Sequence, residues 1–131
     1  MSESIFTKLI KGEIPSFKIA EDDKFIAFLD IMPLKRAHTL VVPKVQIDYI
    51  YDLPDKMLSD LIIFSKKVAK KIESKIKCTR IGIAVIGLEV PHVHIHLIPI
   101  DSVSDMDFNQ KKLNLSKEEM QDIVHLINQT V

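Results

Sequence analysis

Apolar and polar positions alternate with two different periods along this 131-residue chain, and the changes of period divide it into elements. Ile5, Phe6, Leu9 and Ile10 recur at helical spacing behind Ser4, a good capping residue, and residues 12–15, with Gly12 and Pro15, stop that short helix. Residues 17–20 and 24–29 are extended runs around the acidic turn Glu21-Asp22-Asp23, the pattern of a hairpin. A third strand is predicted over 38–42, closed by Pro43. Leu58, Leu61, Ile62, Ser65, Val68, Ala69 and Ile72 share one helical face, with lysines largely on the other, which predicts the longest helix over 54–77. Two more strands, 80–86 and 92–100, follow, joined by GLEVP. Residues 101–115 are polar and read as a loop. Ser116 with Glu119 three positions later forms a capping box ahead of Met120, Ile123, Val124 and Ile127, predicting a last helix over 116–131. Helix, three strands, helix, two strands, helix is the order of an α+β domain with a mainly antiparallel sheet.

A chain of this length fits one domain, 1–131, and buries about two-thirds of the surface its unfolded form exposes. Eighteen Lys and Arg balance eighteen Asp and Glu, so no net field favours a nucleic-acid backbone or an anionic membrane. The single Cys78 offers neither an internal disulfide nor a zinc ribbon, and a reducing compartment suits it. The first residues do not read as a signal peptide, and no apolar run approaches the roughly 18 residues of a membrane span. The expectation is a soluble cytoplasmic protein that handles small molecules, with no nucleic-acid or membrane partner.

Three of the five histidines stand at alternate positions in PHVHIHLIPI. Along a strand, His92, His94 and His96 share one face, and Val93, Ile95 and Leu97 share the other. The apolar side belongs on the core, so the imidazoles should line a cleft or the solvent side. Imidazole is the commonest metal ligand, and an H-x-H pair can offer two ligands to one ion, with Asp30 and His38 as further candidates. It is also a nucleophile and a proton carrier, and neighbouring rings can hold phosphate oxygens. Catalysis ranks above metal binding on this chemistry, because outer positions about 13 Å apart cannot easily meet at one ion.

PHVHIHLIPI resembles the H-x-H-x-H signature of the histidine triad (HIT) nucleotide-binding proteins. SIFTKLIKGEIPS and EDDKFIAFLDIMPLKRAHTLVVPK resemble the preceding segments of that family, in the same order. The likeness covers most of residues 4–100 and is strongest for the HINT-type nucleoside phosphoramidase branch. It implies a HIT-like fold, a five-stranded antiparallel sheet with helices packed on it, commonly paired into a homodimer. It implies further that His94 attacks the α-phosphate of a nucleoside 5'-monophosphate derivative, a purine phosphoramidate or adenylylated amine, to form a covalent nucleotidyl-histidine. His96 would contact the phosphate and leaving atom, while His92 and His38 orient and polarise His94. Asp30 would hold the ribose hydroxyls, and Ile5, Phe6, Leu9, Phe28 and Ile31 would wall the base.

Two departures qualify the likeness. Ser4 and Thr7 stand where many bacterial members carry C-x-x-C for structural zinc, so no metal or other cofactor is expected. The connection before the triad, VIGLEVPH, lacks the usual Asn and Gln-Ser pair that contact phosphate and places Glu89 there instead. A dinucleoside polyphosphate hydrolase and a non-catalytic purine nucleotide-binding module are the alternative readings.

Overall fold

The computed structural model describes residues 2–130. Met1 and Val131, at the ends of the expected domain and last helix, lie outside the described residues. Ser4 caps α1 (Ile5–Ile10) by accepting the Thr7 N–H on its hydroxyl. Three strands follow, β1 (Lys18–Glu21), β2 (Phe25–Leu29) and β3 (Thr39–Pro43), then α2 (Asp55–Glu73). The chain closes with β4 (Arg80–Ala84), β5 (Ile95–Ile100) and α3 (Lys117–Asn128). The capping box at α3 forms as expected: Ser116 and Glu119 each accept the other's backbone N–H. The strands make one antiparallel sheet in the order β1-β2-β3-β5-β4.

Alternation along the strands gives the sheet two packed faces. Phe25, Ala27, Leu29, Val41, Ile95 and Leu97 point to the face covered by α2 and α3, where Leu61, Val68, Ile72, Ile123 and Ile127 complete the main core. Ile26, Phe28, Leu40 and Val42 point the other way, against Phe6 of α1. Burying both faces explains why β2 and β3 read as continuous apolar runs.

Several boundaries differ from the sequence reading, among them the last helix, expected over 116–131, which ends at Asn128. The last strand begins at Ile95, three residues later than expected, because the Val93 N–H bonds the Ile47 carbonyl at 2.7 Å instead of entering the ladder with β3. His92 and His94 therefore lie ahead of the strand, and only His96 is in it. β4 stops at Ala84, and α2 stops at Glu73, after which the chain turns to bury Ile76. Residues 101–115 contain a 3₁₀ turn (Val103–Met106) and pack back onto the sheet. No helix among the described residues is long and apolar enough to cross a membrane.

Candidate active site

Four histidines come together on the α1 face, and all are buried, so of the two expected settings, a cleft or the solvent side, the second does not hold. Their hydrogen bonds fix the tautomer of each ring. The Leu34 N–H points at His38 Nδ1 (3.0 Å), so neutral His38 carries its proton on Nε2. That proton goes to His96 Nδ1, 2.9 Å away, which leaves the His96 proton on Nε2. Burial, reinforced by the neighbouring His96 and Lys112 charges, lowers the His38 pKa to about 3. The same burial, with His94 and Lys112, lowers that of His96 to about 4. Both rings are neutral at pH 7, as the shared proton requires.

His92 donates Nε2–H to the Pro43 carbonyl (2.8 Å) and accepts the Ser4 hydroxyl at Nδ1 (2.7 Å). Burial lowers its pKa as well. Behind Ser4 stands Gln46, whose Oε1 accepts both the Ser4 N–H (2.8 Å) and the Thr7 hydroxyl (2.7 Å). His94 donates Nδ1–H to the His92 carbonyl at 2.7 Å, so its lone pair lies on Nε2. No buried side-chain nitrogen or oxygen among the described residues lacks a partner, and no protein group reaches His94 Nε2 or His96 Nε2, so both open to solvent. The site thus offers one nucleophilic lone pair beside one N–H donor.

The structure divides the expected roles differently in one respect. His92 orients His94 through its backbone carbonyl, whereas His38 bonds His96 and not His94. Asp30 follows β2 beside them, its Oδ1 accepting the Met32 N–H (2.8 Å) and its Oδ2 3.6 Å from His38 Nε2. Burial holds the Asp30 carboxyl above its usual range, and the negative charge of the exposed Glu89 adds to that. Phe6 is packed edge-on against both His92 and His94, at 5.8 and 5.0 Å, and meets Phe28 at 5.6 Å. Leu9 packs on the same cluster. Ile5 and Ile31 are exposed, at 51% and 71%, and lie outside that packed cluster.

Ala37 precedes His38 with φ of +72°, a left-handed backbone that an L side chain adopts only under strain. A cavity of about 360 Å³ opens on His94 between Tyr49, Tyr51, Val85, Ile86 and Leu88. A larger one, about 430 Å³, lies between Phe25, Pro43, Pro54 and Met57 and holds none of the histidines, so size alone does not mark the chemistry.

Metal fits poorly at either candidate place. Asp30, His38 and His96 bring donor atoms within 4.8 Å of one another. Yet the Leu34 N–H keeps the His38 proton on Nε2, the atom a cation would need. Around His92 Nδ1, Ser4, Thr7 and Gln46 supply neutral oxygens already bonded to each other, a set unlike the thiolates and imidazoles that hold zinc.

Gln46, Leu34, Phe108 and Lys112 were not legible as site residues. Leu34 bonds His38 from four positions away through a backbone N–H that no side-chain pattern marks, Gln46 and Phe108 come from distant segments, and only Lys112 carries a charge that a sequence reading could have weighed.

The HIT domain family model matches residues 11–103. The adenosine 5'-monophosphoramidase HNT1 of Candida albicans is 41% identical over 104 residues, which are 72% of this chain and 68% of that protein. The Saccharomyces cerevisiae protein of the same name is 42% identical over 97 residues, 72% of this chain and 61% of its own length. Among solved structures, a Hit-like protein from Bartonella henselae superposes with a TM-score of 0.82 at 31% identity, covering 95% of this chain and 93% of the other.

Proposed function

The chain belongs to the HIT family, and from that premise we propose that it is a hydrolase of purine nucleoside 5'-monophosphate derivatives, working through a nucleotidyl-histidine on His94. The observation that carries this reading is the solvent-open lone pair on His94 Nε2, fixed by the 2.7 Å bond from Nδ1–H to the His92 carbonyl. His94 Nε2 attacks phosphorus and forms an N–P bond. The bond from phosphorus to the leaving amine breaks with its electron pair on nitrogen, which takes up a proton from solvent while His96 Nε2–H hydrogen-bonds the leaving atom. Water then attacks phosphorus, breaks the N–P bond with its electron pair returning to His94 Nε2, gives up its proton to solvent and releases the nucleoside monophosphate. His38 positions His96, Asp30 is the group for the ribose hydroxyls, and Phe6, Leu9 and Phe28 back the base, with Ile5 and Ile31 at its exposed side. No cofactor enters this sequence of steps.

Incubation with an adenosine phosphoramidate should release AMP and, on rapid quenching, yield protein one adenylyl group heavier by mass spectrometry. His94→Ala should lose the adduct and on the order of 10⁴-fold in rate. Full turnover by that variant would overturn the assignment. Faster cleavage of a dinucleoside polyphosphate than of the phosphoramidate, compared on kcat/KM, would favour the alternative hydrolase. AMP binding without turnover would favour a binding module.

The homodimer belongs to the same proposal. β4 is an edge strand, and Ile83 on it and Val85 and Ile86 just beyond its end are 40–56% exposed, an apolar rim suited to a second copy. Sedimentation at micromolar concentration should give twice the chain mass.

A further inference from the structure

Residues 101–115 lie along the active site, held at both ends. Met106 packs over Gly82 so closely that a Cβ there would sit 2.7 Å from its sulfur. Lys35 pairs with Asp105 at 3.2 Å, and the Leu113 N–H bonds the Pro33 carbonyl at 2.8 Å. Between these anchors Phe108 sets its ring edge-on against His96, with centroids 4.9 Å apart, and against His38 at 6.3 Å.

Lys112 is folded back on this segment. Its Nζ donates to the backbone carbonyl of Phe108, the residue whose ring touches His96, at 2.6 Å. An ammonium has three hydrogens to donate, so two remain. Among the described residues no carboxylate pairs with Lys112 within 4.0 Å, although it is only partly exposed. Its charge nevertheless reaches Asp30, His38 and His96 alike. A cation without a carboxylate partner among the described residues thus stands on the segment whose Phe108 ring packs against His96.

We propose that Lys112 is an anion-binding residue of the active site, holding a substrate oxyanion beside His96 in place of the polar phosphate contacts missing from the connection before the triad. The proposal rests on the nucleotidyl-transfer reading above. The anionic group is a phosphate oxygen or a carboxylate on the leaving amine, which share the same recognition chemistry.

The test compares Lys112→Met and Lys112→Arg on two adenosine phosphoramidates, one of a simple alkylamine and one of an amino acid. Lys112→Met should lower kcat/KM by about 10- to 100-fold, the worth of one charged hydrogen bond, with the melting temperature nearly unchanged and most activity retained in Lys112→Arg. Equal loss on both substrates assigns the oxyanion to the phosphate, and loss on the amino-acid substrate alone assigns it to the carboxylate. Unchanged kcat/KM on both would overturn the proposal, as would Lys112→Arg failing as badly as Lys112→Met. Should the wild-type protein cleave neither substrate, the reading of function falls and AMP titration calorimetry decides on Lys112. About tenfold weaker binding in Lys112→Met would sustain its role, and equal binding or none in either protein would end it.

Discussion

On the face of the sheet covered by α2 and α3, Leu61, Val68, Ile72, Ile95, Ile123 and Ile127 meet carbon against carbon. On the face covered by α1, Phe6, Ile26, Phe28, Leu40 and Val42 share their space with buried imidazoles. The same strands serve both: Val41 and Ile95 point one way, Leu40 and His96 the other. Apolar contacts on the first face add up without regard to direction, so their loss is felt as stability. Each imidazole on the second is costly to bury unless its nitrogens are matched, so the hydrogen bonds there decide which nitrogen is left for chemistry.

Four changes probe that contrast, from the largest effect down. Leu61→Ala on the aliphatic face should cost about 2–5 kcal/mol in a urea titration while the folded fraction keeps its kcat/KM. A matching loss of specific activity would mean that the two faces are not separable.

Acid should act on the other face. His38 and His96 fall to about 3 and 4 when folded against an ordinary 6.5, and His92 is lowered too. The unfolded chain therefore binds more protons between pH 6.5 and 4, so the stability these rings confer is complete above 6.5 and is lost as pH falls. Asp30, whose carboxyl is held high, opposes this with one group against three. Denaturation midpoints should drop from pH 7 to 4.5, and a flat profile would contradict the neutral, buried histidines.

Ser4→Ala removes both the helix cap and the donor to His92 Nδ1, and should cost about 0.5–2 kcal/mol with a fall in kcat rather than a rise in KM. Smallest is Ala37→Gly, which should gain about 0.5–1 kcal/mol in thermal melts by relieving the left-handed backbone, offset in part by the freer unfolded chain.

Much of this was legible in the sequence because it is local. Helical stripes, capping residues and the alternation of His96 with Ile95 and Leu97 are each set by neighbours a few positions apart, and the elements formed where they predict. The triad motif and its flanking segments likewise led to the fold and to the cluster of His38, Asp30 and the three histidines. What stayed hidden depends on long-range pairing. Nothing near residue 92 announces that Val93 will bond Ile47 and delay the strand, or that Gln46 will stand behind Ser4. Residues 101–115 read as a loop because their polar composition gives no periodicity, while their docking comes from single anchors such as Phe108 and Met106.

The bonds that define the site also join the most distant parts of the chain: Ser4 to His92 across 88 positions, His38 to His96 across 58. Such contacts require the ends of long chain loops to meet, so they form late, once the sheet has closed. A partly assembled chain would have its helices before its buried imidazoles were held in place. Recovery of adenylylation during refolding should then lag behind recovery of helical circular dichroism, making the active site a reporter of the last step of assembly.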